Sequence, residues 1–287
     1  MLFRSSLRGG RSLLGDALAR AAAVVPQDQI TVVVAAEHER FWRPELAHLP
    51  PRNVVVQPRN RGTAVGILLP LLAVLQRDPE ARIAVLPSDH FVRREEVLVA
   101  ALLRALHGPH VAAGGLELLG IRPERLELEY GWILPGHARR GAFTVTAFVE
   151  KPSTASALTL AAHGALWNSF VFAARGDALL QLFRERVPNL VAAFEPWSAA
   201  NDLQALYETL PCTDFSAEVL QGSERQLRVQ AVADCGWTDL GTPERVRECL
   251  DSLQPARRTM ASQVPDLERM VGRSGSPALL REVGGVL

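Results

Sequence analysis

Two carboxylates and two short polar turns in this 287-residue chain have the residue types and placement to do chemistry. The first carboxylate, Asp89, follows the apolar run Ile83-Ala84-Val85-Leu86 and Pro87 in ARIAVLPSDH. A run with no polar face suits a strand covered on both sides in a parallel sheet, and ligands of open α/β sheets sit beyond the carboxyl ends of such strands. Asp89, with Ser88 before it, then stands at the rim of a cleft. The second, Asp239, lies in GWTDLGT, after a strand and before a helix that begins at Pro243. Pro243 at the first helical position and Thr242 as its cap explain part of that segment, but not Asp239. Two such carboxylates, each at a strand end, make a Mg²⁺ pair, because this ion takes one or two carboxylates and leaves the rest of its shell to phosphates and water. The competing reading of Asp89 is a cap for the helix expected over residues 93–106.

The first polar turn is QPRNRGTA, residues 57–64, between a strand and a helix. It offers Gln57, the guanidinium of Arg61, a glycine (Gly62) that lets backbone approach a ligand, and the free N–H groups of a helix starting at Thr63. Such a turn favours an anion or a flat polar base; its plainer reading is a loop with solvated arginines. The second turn, FVEKPS, sets Glu150 and Lys151 side by side at a strand end, where neighbouring side chains point to opposite faces and do not pair with each other. Lys151 suits a phosphate as a point charge, or is simply a surface lysine. His90 abuts Asp89 and is placed to orient it. No histidine pair has metal-ligand spacing, and no Ser or Cys sits in a nucleophile elbow.

The elements that must position these groups follow from periodicity. A helix is expected over residues 13–25, a strand over 31–36, a short helix over 40–49 and a strand over 53–56. A buried helix starts at Thr63 and contains Pro70, and a strand follows over 81–86. This is the βαβ rhythm of a doubly wound sheet. Further strands are expected over 111–121, 130–134, 143–149, 167–174 and 226–232, and helices over 154–162, 177–187 and 201–210.

At 48% apolar residues the chain can bury one large α/β core. Lys plus Arg and Asp plus Glu both number 31, so no global field favours nucleic acid or an anionic membrane, and any anion site is local. The three cysteines, odd in number and outside metal spacing, fit a reducing compartment. No apolar run approaches the ~20 residues of a membrane span, and the first ten residues lack a signal-like apolar stretch, so a cytoplasmic location is expected. Residues 254–287 are weakly specified, a loose tail or one with a short helix near 265–271.

Taken together, QPRNRGTA, VLPSDH, EYGWI, FVEKPS, WNSFVF, DFSAEVL and GWTDLGT resemble, in order and approximate spacing, the motifs of the sugar-1-phosphate nucleotidyltransferases. They are most similar to those of bacterial mannose-1-phosphate guanylyltransferases, with strings such as EPxxRNTA, LPADH, YGYI, FVEKP, WNSG and WSDVGS. The resemblance runs from about Arg11 to Leu253. It implies a Rossmann-like mixed sheet flanked by helices, GTP and mannose-1-phosphate as substrates, GDP-mannose and pyrophosphate as products, and Mg²⁺ as cofactor. Residue by residue, it implies that Gln57 and backbone near Gly62 meet the purine, with Arg61, Thr63 and Ser88 also on the nucleotide. Asp89 and Asp239 would hold Mg²⁺, Gly131 would pass close to the sugar, Glu150 and Asn168 would bond its hydroxyls, and Lys151 would hold its phosphate.

The front departs from that pattern. Such proteins open with a strand and a glycine-rich loop similar to GGxGTRLWPLSR, for which MLFRSS has no counterpart; the loop would lie upstream of Met1. The domain, residues 1–253, is therefore expected to be incomplete at its N-terminal end and to lack its first, central strand, leaving rows of backbone groups on its neighbours unpaired. Besides an active guanylyltransferase, a catalytically dead sugar-nucleotide-binding subunit and a transferase for another hexose-1-phosphate and nucleotide pair remain open. So does the oligomeric state, a homo-oligomer included.

Overall fold

The computed structural model describes residues 7, 9–139, 141–194, 203–253 and 285–286. Helix α1 (Leu13–Ala22) is capped by Ser12, whose hydroxyl accepts from the amide of Gly15 at 2.9 Å, and it buries the helical stripe Leu14, Ala17, Leu18 and Ala21. Then come β1 (Val32–Ala35), α2 (Glu39–Leu46), β2 (Val54–Gln57), α3 (Thr63–Arg77), β3 (Arg82–Pro87), α4 (Glu95–Leu106) and α5 (Pro109–Ala112). The second half comprises β4 (Leu116–Ile121), β5 (Gly131–Arg139), β6 (Ala142–Glu150), α6 (Thr154–Ala162), β7 (Leu166–Arg175), α7 (Gly176–Arg186), α8 (Pro188–Phe194), α9 (Leu203–Thr209), β8 (Leu227–Ala231), α10 (Pro243–Leu253) and β9 (Gly285–Val286).

The strands form one mixed sheet in the order β2-β1-β9-β3-β7-β4-β8-β6-β5. Only β1–β2 and β4–β8 are parallel pairs among the described strands. Neighbouring residues of one strand go to opposite faces: Leu86 and Leu119 join the cluster under α1 and α4, while Val85 and Leu118 join the cluster under α3 and α7. The sheet is thus a middle layer with helices on both sides.

Three expectations need correction. The apolar run of β3 suggests a parallel setting, yet its neighbours, β7 and β9, are both antiparallel to it; an all-apolar strand reports cover on both faces, which two helical layers supply whatever the strand direction. The strand expected over 111–121 begins at Leu116, because Pro109 starts the short helix α5 and Gly114, at φ +87°, turns the chain out of it. Asp89 caps no helix: α4 starts six residues further on, behind Arg94.

The place of the expected missing strand, between β1 and β3, is taken by Gly285–Val286. This two-residue strand pairs with Val32 on one side and with Leu86 and Pro87 on the other. It fills the slot only in part. A cavity of about 540 Å³ lies alongside, with Val25, Ile83, Ala84, Leu86 and Leu106 on its walls. The short helix expected near residues 265–271 lies outside the described residues.

Candidate active site

The purine-type turn is built between β2 and α3 and clamped from behind by the segment after α9. Gly62 has φ +86°, and a Cβ there would stand 2.3 Å from the carbonyl oxygen of Thr213, so both conformation and space demand glycine. The amide of Ala64 donates to Thr213 O at 3.0 Å, and the amide of Thr213 donates back to Arg61 O at 3.0 Å. The guanidinium of Arg61 donates to the carbonyls of Tyr207 (2.7 Å) and Glu208 (3.1 Å). The Tyr207 hydroxyl donates to Gln57 Oε1 at 3.1 Å, and Thr63 Oγ1 accepts from the amide of Phe215 at 2.7 Å. Arg61 and Thr63 therefore spend their side chains holding the turn's shape. Gln57 is buried at the floor of the turn.

Gly131 opens β5 directly opposite Glu150, the last residue of β6. A Cβ on Gly131 would lie 2.6 Å from Glu150 Oε2 and 3.3 Å from Asn168 Cβ, so glycine leaves room for this carboxyl to enter beside β7. The amide of Glu150 donates to Gln221 Oε1 (3.0 Å), and Asn168 Nδ2 donates to Ser216 Oγ (3.3 Å) while its Oδ1 accepts from the amide of Phe170 (3.1 Å). Burial, and then the charge of Asp214, push Glu150 up to about 7 against the opposing pull of Lys151. Its Oε2 is buried without a hydrogen-bond partner.

The two carboxylates are drawn together by a backbone bridge: the amide of Phe91 donates to Thr238 O at 2.9 Å, and the amide of Thr238 to Phe91 O at 3.0 Å. Burial raises Asp89 to about 7, and the nearby charge of Asp239 adds to it. Asp89 Oδ1 is buried and unpartnered. Asp239 Oδ1, by contrast, accepts from the Tyr130 hydroxyl (2.8 Å), from Arg245 Nη1 (2.8 Å) and from the amide of Gly241 (3.0 Å). His90 makes no hydrogen bond to Asp89: its Nε2 stands 3.9 Å from Asp89 Oδ1, burial lowers His90 to about 4, and its Nδ1 accepts from Trp237 Nε1 at 3.2 Å. An orphaned carboxylate oxygen beside a second carboxylate fits a hard divalent cation with oxygen ligands. No cluster of three or more His, Cys, Asp or Glu stands together among the described residues, so most of such an ion's shell would come from phosphates and water.

The non-glycine residues with positive φ among the described residues are Lys151 (+47°), Phe170 (+60°) and Leu240 (+56°). Each lies within two positions of Glu150, Asn168 or Asp239. Left-handed backbone at such residues costs on the order of 1–3 kcal/mol and concentrates at functional sites.

A family model described as nucleotidyl transferase matches residues 10–254. The chain belongs to this family. Among curated relatives of this nucleotidyl transferase, mannose-1-phosphate guanylyltransferase of Escherichia coli (strain K12) is 30% identical over 253 residues, covering 82% of this chain and 52% of that protein. Xanthan biosynthesis protein XanB of Xanthomonas campestris pv. campestris (strain B100) is 30% identical over 246 residues with the same coverage. The chain thus spans about half the length of these relatives. A crystal structure of mannose-1-phosphate geranyltransferase from Thermus thermophilus matches with a TM-score of 0.75 at 32% identity, over 83% of this chain and 70% of that one. Similarity and fold agree in making the sheet that of a nucleotide-diphospho-sugar transferase. No helix among the described residues is long and apolar enough to cross a membrane.

Sequence reasoning about this nucleotidyl transferase placed the carboxylates and turns but missed the residues that hold them. Tyr130 lay unread in EYGWI. Arg245 sits in the first turn of α10, where a guanidinium can turn back to Asp239. Tyr207 and Gln221 carry no local signal, because their partners are 150 and 71 positions away.

Proposed function

We propose that this chain makes GDP-mannose and pyrophosphate from GTP and mannose-1-phosphate. The observation that carries this reading is the bridge between Phe91 and Thr238, which brings the segments of Asp89 and Asp239 together although they lie far apart in the sequence. Gln57 and the backbone at Gly62 meet the purine, with Ser88 at the phosphate end. Glu150 and Asn168 bond sugar hydroxyls beside Gly131, and the exposed ammonium of Lys151 holds the sugar phosphate. A phosphate oxygen of mannose-1-phosphate attacks the α-phosphorus of GTP, a new P–O bond forms, and the bond to the β-phosphate bridging oxygen breaks to release pyrophosphate. The attacking oxygen is already ionised near neutral pH, so positioning and charge neutralisation carry the reaction rather than a general base. Mg²⁺ held by Asp89 and Asp239 would neutralise charge on the nucleotide phosphates. Asp239 is presented by Tyr130 and Arg245, which fix one oxygen and leave the other for a ligand. The three described cysteines are free, in keeping with the cytoplasm as the place of action.

The test is pyrophosphate release with mannose-1-phosphate and each of GTP, ATP and UTP in Mg²⁺, repeated with glucose-1-phosphate. GTP with mannose-1-phosphate should give the highest kcat/KM. Preference for another pair would reassign the substrates, and binding of GDP-mannose without any turnover would leave a binding subunit.

A further inference from the structure

The motif DFSAEVL has no role in the reaction as described, yet it touches both halves of the site. Asp214 begins it and Gln221 directly follows it, on either side of a π-helical turn over Ser216–Leu220. Wide turns of this kind recur at functional sites because they admit one extra residue without breaking the helix. At the front, Asp214 Oδ1 accepts from the amide of Ala217 (2.9 Å), and the amide of Asp214 donates to Glu218 Oε1 (2.9 Å). The other oxygen, Oδ2, has only a long contact of 3.4 Å from Thr63 Oγ1. At the back, Gln221 takes the amide of Glu150, and between them Ser216 takes Asn168. One short segment therefore carries Asp214 and also holds the backbone of Glu150 and the side chain of Asn168. Each has an under-used oxygen: Glu150 Oε2 is buried with no partner, and Asp214 Oδ2 is poorly met. Asp214 is near enough for its charge to act on Glu150, and two acceptors reached from one segment call for donors, which the neighbouring hydroxyls of a hexose provide.

We propose that Asp214 is a specificity-determining residue of the sugar site, taking hydroxyl donors of the hexose alongside Glu150. This inference rests on the reading of the chain as a GDP-mannose-forming transferase. The charged groups acting on Glu150 are Asp214 from the turn, Lys151 next to it and Glu129 ahead of β5, while Asn168 and Gln221 face it as neutral groups. With Asp214 raising it, Glu150 ionises late and becomes a full acceptor only as pH passes about 7.

The experiment is calorimetric binding of GDP-mannose and of GTP to the full chain in Mg²⁺, from pH 6 to 8, for wild type, Asp214→Asn and Asp214→Glu. Asparagine keeps a carbonyl oxygen for the Ala217 amide, so a purely capping role survives the change. At pH 8, Asp214→Asn should weaken GDP-mannose about tenfold and GTP less than about twofold, as expected for one lost hydroxyl acceptor. It should also move the pH midpoint for GDP-mannose below that of wild type, since one negative charge beside Glu150 is gone; any titration of Asp89 is common to both proteins and cancels. Asp214→Glu should restore part of the affinity. Equal loss for both ligands, or an unmoved midpoint at unchanged melting temperature, would overturn the proposal. A wild type that binds neither ligand would overturn the functional reading itself, whereas a wild type and an Asp214→Asn variant that bind both alike would overturn this inference alone.

Discussion

The turn that would meet the purine and the slot between β1 and β3 lie in one sheet but are held by different means. Around the turn, the segment from Tyr207 to Phe215 closes on Gln57, Arg61 and Thr63 by side-chain and backbone hydrogen bonds, and Gly62 lies directly against Thr213. In the slot, β9 pairs with Val32, Leu86 and Pro87 alone, and a cavity of about 540 Å³ remains beside it. The groups that would recognise base and sugar thus sit on a stiff frame. Asp89, which would meet the nucleotide phosphates, hangs from the end of β3, which has β7 on one side but only the two residues of β9 on the other. On that reading, recognition and charge handling should be separable, and each should be open to perturbation without the other.

The largest expected effect is on the charge-handling side. Asp239→Asn should lower Mg²⁺-dependent pyrophosphate release by roughly 10³-fold or more, with the affinity for mannose-1-phosphate little changed. Turnover above a tenth of wild type would remove Asp239 from the metal. Asp89→Asn should do the same to turnover yet raise stability. The folded-state value of Asp89, about 7, lies above its ordinary value of 3.8, so the protonated form is favoured in the fold and ionisation costs stability as pH rises from about 4 through 7. In chelator at pH 8 the variant should resist urea by on the order of 2–4 kcal/mol more than wild type, the gain fading as pH falls toward 4. A gain that grows on acidification would reverse the assignment.

On the recognition side, Lys151→Ala should raise KM for mannose-1-phosphate about tenfold and that for GTP less than twofold, as expected for one lost cation–phosphate contact. An equal rise would break the division between the two regions. Smallest of all, Val286→Pro removes one ladder donor from β9. It should cost about 1 kcal/mol and speed hydrogen exchange at the backbone of β1 and β3, while leaving exchange around Gly131 and Glu150 as it was. Uniform acceleration across the sheet would show that the slot is not a separate weak point.

Much of this division was legible in the sequence, and the part that was not has a physical cause. The helix over residues 154–162 and the start of α3 at Thr63 fall where periodicity and flanking residues put them. The ends of β2, β3 and β6, which lead to Gln57, Asp89 and Glu150, fall one residue beyond their expected places. Strand direction was not legible, because the run Ile83 to Leu86 records burial on both faces and nothing about the neighbour's polarity. Nor were the partners of the site residues. Tyr207 meets Gln57 and Arg245 meets Asp239 only after the sheet has assembled. The three positive-φ residues were invisible for the same reason: nothing in Lys151, Phe170 or Leu240 as residue types favours a left-handed backbone, and the surrounding contacts impose it.

Val32 and Val286 are neighbours in the sheet but roughly 250 positions apart along the chain, so their pairing closes a very long loop for a handful of backbone hydrogen bonds. The parallel pair β1–β2 and the hairpin β5–β6 join residues far closer in sequence and have no such entropy to recover. Assembly of this sheet should therefore run from its flanks toward its middle, with β9 as the last strand to lock and the first to leave. Its arrival would be the slow step by which a nearly finished fold acquires its centre.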